Sequence, residues 1–174
     1  MKSQQKQAIE NPMRSFKIEK MILSSGASGA ELEKAAKLLS IISGVKAQIL
    51  TSSKRIPDFG VRPGLEVGTR VTLRDEKAIE LLKRLLGAID NKISKKQVSD
   101  NHFSFGVKEY IEIPGMEYQR DLGIRGLNVT VVFSRPGMRV KRKKIKSSKV
   151  SKKQFVSSEE IIKYMEENYK TKII

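Results

Sequence analysis

The chain has 174 residues and a formal net charge of +16, with 35 Lys and Arg against 19 Asp and Glu and no cysteine. The lack of cysteine excludes disulfides, thiolate zinc sites and thiol catalysis, and it suits a reducing cytoplasm. A charge this positive attracts polyanions, above all nucleic acid. The sequence has no long apolar run, and its first residues lack the apolar core of a signal peptide. We therefore expect a soluble, non-exported protein with one compact domain.

The first part of the chain alternates predicted strands and helices. Residues 1–13 are polar and are expected to form a flexible N-terminal arm that orders on a partner. A strand is expected over 16–23, followed by a turn of small residues over 24–30. Apolar side chains recur at helical spacing over 31–43, and residues 48–52 are short and strand-like. The pattern predicts an amphipathic helix between two strands.

A loop rich in Pro and Gly follows over residues 54–64. Two prolines and two glycines in this stretch argue against a helix. An aromatic side chain, Phe59, lies among the cations Lys54, Arg55 and Arg62. Phe59 either folds back on the core or stays exposed to a partner, and the residues alone leave both readings open.

The strand predicted over 67–74 has two chemically different faces, because successive side chains of a strand point to opposite sides. The face suited to a core carries Val67, Thr69, Val71 and Leu73. The face suited to phosphate carries Gly68, Arg70, Thr72 and Arg74.

The second half continues the same organisation. Asp75 is expected to cap a helix, and alternating strands are expected over 103–107 and 127–134. Ser157 and Glu160 have the spacing of a capping box ahead of a terminal amphipathic helix. Two-faced strands and helices with one apolar stripe predict an α+β fold. Its sheet is mainly antiparallel, with helices packed on one face and the other face open and basic.

Three patterns resemble other chemistry but lack its essential residues. The aromatic strand at 103–107 resembles an RNA-recognition motif, yet Phe103 and Phe105 share a face with Val107 and are expected in the core. The turn at 24–30 has neither G-K-[ST] nor a full G-x-G-x-x-G. The only histidine, His102, has no partners for a triad or a metal site. We expect no catalysis, no cofactor and no metal.

Positive charge is concentrated from Arg139 to Lys153, where nine of fifteen residues are Lys or Arg and none is acidic. Such a run repels itself but can order along phosphates; a solvated linker or a localisation signal is the alternative. We divide the chain into the arm, a core at 14–138, a basic tail at 139–156 and a terminal helix at 157–174. Because the sequence adds few aromatic residues to the open face, we expect shape and phosphate recognition to dominate over base reading.

Several motifs in this order resemble the ribosomal protein L five family of the large subunit, from about Asn11 to Tyr169. They are N-P-M-R at 11–14, K-R-I-P-D-F-G-V-R-P-G, V-G-T-R-V-T-L-R, F-S-F-G-V-K-E-Y-I-E-I-P-G, G-I-R-G-L-N-V and S-R-P-G-M-R-V-K-R. The N-P-M-R and I-P-G motifs and the basic tail are closer to archaeal and eukaryotic members than to bacterial ones, and the archaeal members fit best.

The resemblance implies a non-catalytic protein of the central protuberance in cytoplasmic ribosomes. It would bind 5S ribosomal RNA through its sheet and first helix, and also touch the large-subunit ribosomal RNA. The loop at Arg55 to Gly64 would reach toward the tRNA in the peptidyl site. The segment at Glu109 to Asp121 would lie toward the small-subunit head, where protein S thirteen makes an intersubunit bridge. Protein L eighteen would be a neighbour.

Individual residues follow from the same resemblance. The residues expected to bind ribosomal RNA are Ser24, Lys54, Arg70, Thr72, Arg74, Arg139, Lys141, Arg142, Lys143, Lys144 and Lys146. Those expected to contact tRNA are Arg55, Phe59, Gly60 and Arg62. Where the family usually has Asn and Gln, this chain has Ser24 and Val45, and the Val45 side chain cannot hydrogen-bond.

Rival functions are a free-standing DNA or chromatin architectural protein and, more remotely, an RNA-modifying enzyme.

Overall fold

The computed structural model describes residues 12–174, so most of the predicted N-terminal arm lies outside the described residues. The strands are β1 Lys17–Gly26, β2 Gln48–Thr51, β3 Glu66–Leu73, β4 Lys92–Ile93, β5 Val98–Ser99, β6 His102–Val107, β7 Leu127–Ser134 and β8 Lys172–Ile173. The α-helices are α1 Ala30–Ser43, α2 Asp75–Gly87, α3 Arg139–Arg142 and α4 Ser158–Tyr169. Short 3-10 turns lie at Pro57–Phe59, Lys95–Gln97, Tyr110–Glu112 and Lys152–Gln154.

Six of the strands form one sheet in the order β2-β3-β1-β7-β6-β5, and every neighbouring pair in it is antiparallel. β4 and β8 form a separate parallel pair near the C-terminus. Helices α1, α2 and α4 bury their apolar stripes in the same cluster as the inward side chains of β1, β3, β6 and β7. The predicted α+β class, with a mainly antiparallel sheet, is confirmed.

The side chains of the aromatic strand β6 alternate between a face of the sheet that is buried in the core and a face that is exposed to solvent. Phe103, Phe105 and Val107 are buried, whereas Ser104 and Gly106 between them are exposed. Phe103 lies 6.0 Å from Phe105 between ring centroids and is fully buried. The prediction that these rings serve the core and not an RNA-binding surface is confirmed.

The turn predicted over 24–30 is wrong in its first half. β1 continues through Gly26, and Ser24 and Gly26 pair with Arg70 and Gly68 of β3. Ser24 therefore lies inside the sheet. Small side chains at the end of a strand do not distinguish a strand from a turn. Pairing with β3 is what extends β1 to Gly26.

Of the two helix-capping predictions, the one for α2 is wrong and the one for α4 is confirmed. Asp75 does not cap α2: the helix begins at Asp75 itself, Arg74 is the N-cap residue and no side chain caps it. A capping residue needs an extended backbone, and Asp75 has φ of 58°. In α4 the predicted capping box is confirmed, because the Ser157 hydroxyl accepts from the Glu160 amide and the Glu160 carboxylate accepts from the Ser157 amide.

None of the helices within residues 12–174 is long and apolar enough to cross a bilayer.

Candidate nucleic-acid interface

The sheet face that points away from the core, here called the open face, carries polar side chains in register across neighbouring strands. Ser24 of β1 lies between Arg70 of β3 and Asn128 of β7. Gln48 continues this row beyond Arg70, and its Oε1 accepts a hydrogen bond from Arg70 Nε at 3.1 Å. On the other side, Gly106 of β6 pairs with Asn128. Five strands thus contribute to one line of residues.

A second line runs beside the first. Ile22 pairs with Thr72 on one side and with Thr130 on the other, and Ser104 pairs with Thr130. Thr72 and Thr130 are half-buried and Ser104 is exposed. Arg74 follows the end of β3 in an extended conformation and is exposed. The predicted residues Ser24, Arg70, Thr72 and Arg74 are thus brought together by β1 and β3.

The loop between β2 and β3 is a short hairpin that its own backbone holds together. At its base, the Ser52 amide donates to Leu65 O at 2.8 Å and the Gly64 amide donates to Ser52 O at 2.8 Å. Nearer the tip, Ile56 and Val61 form an antiparallel bridge. The hairpin therefore projects as an ordered unit.

The aromatic side chain at this tip faces solvent. Phe59 ends the 3-10 turn and is 80% exposed, so the reading in which it folds back on the core is wrong. Gly60 follows with φ of 63°, which lets the chain reverse directly after Phe59. Lys54, Arg55 and Arg62 are exposed around it. The hairpin presents one bare aromatic ring among cations.

The basic tail is more structured than its composition indicated. Arg139, Lys141 and Arg142 lie in the one-turn helix α3. The other predicted rRNA-binding residues of the tail are exposed after it: Lys143, Lys144 and Lys146. At the far end of the segment, Gln154 Nε2 donates to Pro136 O at 2.9 Å, so the two ends meet. The segment is a closed basic loop between β7 and α4.

One cation of this loop is already paired. Arg142 Nη2 donates to Glu19 Oε2 at 2.5 Å, and Glu19 is largely buried while Arg142 is about half exposed. Burial on its own raises the pKa of Glu19. The hydrogen bond and charge of Arg142, together with Ser134 and Lys20, outweigh it and hold that pKa below its ordinary value. Of the cations predicted to bind RNA, Arg142 is therefore already held by a carboxylate, through one of its guanidinium nitrogens.

Sequence reasoning missed several polar residues of the open face, among them Asn128 and Gln48. The strand predicted over 127–134 does place Asn128 on the outward face, so alternation alone could have identified it. Gln48 is found only through its pairing with Arg70, which no local pattern indicates. Val45 is exposed in the turn between α1 and β2.

Comparison with known proteins identifies the family of this chain. Residues 11–62 match the family model described as ribosomal protein L5, and residues 66–164 match the model described as the C-terminus of that ribosomal family. Large ribosomal subunit protein uL5 of Nanoarchaeum equitans is 44% identical over 169 residues, covering 95% of this chain and all of the relative. The uL5 proteins of Pyrobaculum aerophilum and Picrophilus torridus are 40% and 37% identical, covering 90% and 97% of this chain and 89% and 98% of theirs. The chain belongs to the ribosomal protein L5 family of the large ribosomal subunit.

Proposed function

We propose that this protein is a non-catalytic structural constituent of the large subunit in cytoplasmic ribosomes, and that it binds 5S ribosomal RNA with its open face. The observation that carries the proposal is the register that lines up Arg70 and Ser24, with Thr72 in the next row, on one sheet face. Phosphates are neutralised by Arg70 and Arg74, whose guanidinium groups suit phosphate oxygens. The opposite face is filled by the core, so only this face of the sheet is free to bind.

The basic loop adds a second RNA contact, to the large-subunit ribosomal RNA. Its cations are exposed and its ends are held together, which supports binding along a phosphate backbone. Lys54, near the base of the hairpin, extends the same basic surface.

The hairpin tip and one further loop face other partners in this proposal. Arg55, Phe59, Gly60 and Arg62 contact the peptidyl-site tRNA, where an exposed ring and cations suit ribose and phosphate. The segment Glu109 to Asp121 approaches protein S thirteen of the small-subunit head. The hydroxyl of Tyr110 accepts a hydrogen bond from the backbone amide of Gln119 at 2.9 Å, which stabilises the conformation of this segment. Ile111 and Tyr118 remain exposed on it as contact side chains, and protein L eighteen is a neighbour on the 5S RNA.

Competition binding tests the proposal. Labelled archaeal 5S ribosomal RNA is competed with unlabelled 5S RNA or with duplex DNA of equal length, between 50 and 200 mM salt. If six or more phosphates are engaged, affinity should fall roughly a thousandfold over this range. Preference for duplex DNA would instead favour a free-standing architectural protein, and a flat salt response would contradict both readings.

Two matched variants locate the contact. Arg70→Ala should weaken 5S RNA binding and lower the slope of log affinity against log salt by about 1. Phe59→Ala should leave 5S RNA binding intact and impair translation by reconstituted ribosomes. Loss of 5S RNA binding in the Phe59 variant would contradict this division between sheet and hairpin.

A further inference from the structure

The centre of the open face is neutral, although the protein as a whole is strongly basic. Two shallow depressions of about 460 Å³ each lie there, and both are lined by Ser24, Gly106 and Asn128. The first has Lys108 as its only charged lining residue. The second is lined by uncharged side chains that include Gln97 and Ser104. Cations at the edge and hydrogen-bonding groups in the middle indicate a surface that does more than neutralise phosphate.

Asn128 stands between these depressions with its carboxamide free. The side chain is exposed, and among the described residues it has no hydrogen-bond partner. The Ser24 hydroxyl, on the adjacent strand directly opposite, has none either. Directly paired residues of antiparallel strands have Cα atoms about 4.5–5.5 Å apart, so both groups can reach one ligand. One donor-and-acceptor amide and one hydroxyl are thus available side by side.

Gly106 keeps the carboxamide accessible. A Cβ at this position would lie 3.4 Å from Asn128 Oδ1, in van der Waals contact with the amide oxygen, so a side chain there would cover that side of the amide. Gly106 itself is exposed and pairs with Asn128 across the β6–β7 ladder. With no side chain on that neighbour, a flat group can approach the amide edge-on.

We propose that Asn128, assisted by Ser24, reads an unpaired adenine of the bound RNA. An Asn carboxamide pairs with adenine through two hydrogen bonds, donating to N7 and accepting from the N6 amino group. The base must be unpaired, because the deep, narrow major groove of an RNA duplex hides that edge from side chains. The flanking Arg70 and Lys108 hold the phosphates on either side. This inference rests on the proposed function and adds base recognition to a face that composition assigned to phosphate contacts.

The test combines a protein variant with a modified RNA. Archaeal 5S ribosomal RNA is transcribed with adenosine or with 7-deazaadenosine, which replaces the N7 acceptor by C–H. Wild-type protein should bind the modified RNA more weakly, by a smaller factor than the roughly 5- to 150-fold expected for loss of the whole bidentate contact, because the hydrogen bond from N6 remains. Asn128→Ala loses both hydrogen bonds, so it should bind normal RNA roughly 5- to 150-fold more weakly than the wild type and should bind both RNAs equally. Its salt slope should equal that of the wild type.

Three further variants serve as controls. Gly106→Ala should weaken binding of normal RNA while leaving the amide in place, because the new methyl group would lie against Oδ1 and cover the side from which a base approaches. Asn128→Asp should bind more weakly than Asn128→Ala, since a carboxylate cannot donate and repels phosphate. Asn168→Ala removes an exposed carboxamide on α4, whose Nδ2 donates to Tyr164 O, and should leave RNA affinity unchanged. Melting temperatures should match for wild type and Asn128→Ala, since the side chain has no partner to lose.

The outcomes separate the two proposals. If Asn128→Ala binds normal RNA like the wild type while Arg70→Ala is impaired, the base-reading site is wrong and RNA binding by the open face stands. If the modified RNA is discriminated equally by wild type and Asn128→Ala, the carboxamide does not read N7 and the inference is again overturned. Failure of the wild type to prefer 5S RNA over duplex DNA would refute the proposed function itself.

Discussion

Replacing Phe103 by alanine would remove a ring from the centre of the core. The side chain is fully buried, with its ring centroid 6.0 Å from Phe105 and 5.9 Å from Phe133. Truncation of a buried phenylalanine costs about 3–5 kcal/mol, through lost burial and the cavity that remains. Since whole domains are stable by about 5–15 kcal/mol, this one change should consume a large part of the total.

Thermal unfolding followed by circular dichroism measures the effect. For a chain of this size, each kcal/mol lowers Tm by about 2–4 °C, so Phe103→Ala should lower Tm by about 6–20 °C. Phe59→Ala is the matched control, because the same ring is removed from a side chain that is 80% exposed. That control should change stability by less than about 0.5 kcal/mol.

The pair of variants also tests which phenylalanine faces RNA. If the β6 aromatic strand were a stacking platform, Phe103→Ala would keep its Tm and lose RNA affinity. Equal destabilisation by Phe59→Ala and Phe103→Ala would show that the hairpin tip is part of the core. Either result would refute the division into a packed face and an open face.

Three smaller predictions concern titration and capping. Because the pKa of Glu19 is depressed below its ordinary 4.5, its pairing with Arg142 stabilises the protein above that pH and is lost as pH falls; Glu19→Gln should therefore flatten the acid limb of a Tm-against-pH curve. Burial, with the charge and hydrogen bond of Tyr164, raises the pKa of Tyr169 to about 12, so stability should fall as pH rises from about 10 to 12, and less so in Tyr169→Phe. Ser157→Ala removes the N-cap of α4 and should cost about 0.5–2 kcal/mol in urea denaturation.

Strand alternation was sufficient to predict the two faces of the sheet. The period-2 pattern correctly separated Phe103 and Phe105 from Ser104, and Val71 from Arg70. The prediction succeeded because an antiparallel strand with one buried and one solvent-exposed face alternates apolar and polar side chains, and this alternation is visible in the local sequence.

Features set by distant partners were not predictable. Ser24 was expected in a turn because nothing local reveals its pairing with β3 and β7. The residue type predicts that Asp75 caps α2, because it does not reveal the left-handed backbone of Asp75. The closed form of the basic loop depends on Gln154 meeting Pro136, 18 positions earlier. Composition alone therefore described that segment as a tail.

Closing the basic loop changes how it would bind RNA. A free tail must lose chain entropy when it orders along phosphates, and that cost reduces its affinity. Here Gln154 and Pro136 hold the ends together, and the Arg142–Glu19 pair ties the start of the loop to β1. Part of the entropy cost of bringing the loop ends together is therefore already met on folding. Binding to RNA then has to order only the interior of the loop. The same contacts fix these cations relative to the open face, so that one RNA engaging β1 and β3 meets the loop at high effective concentration.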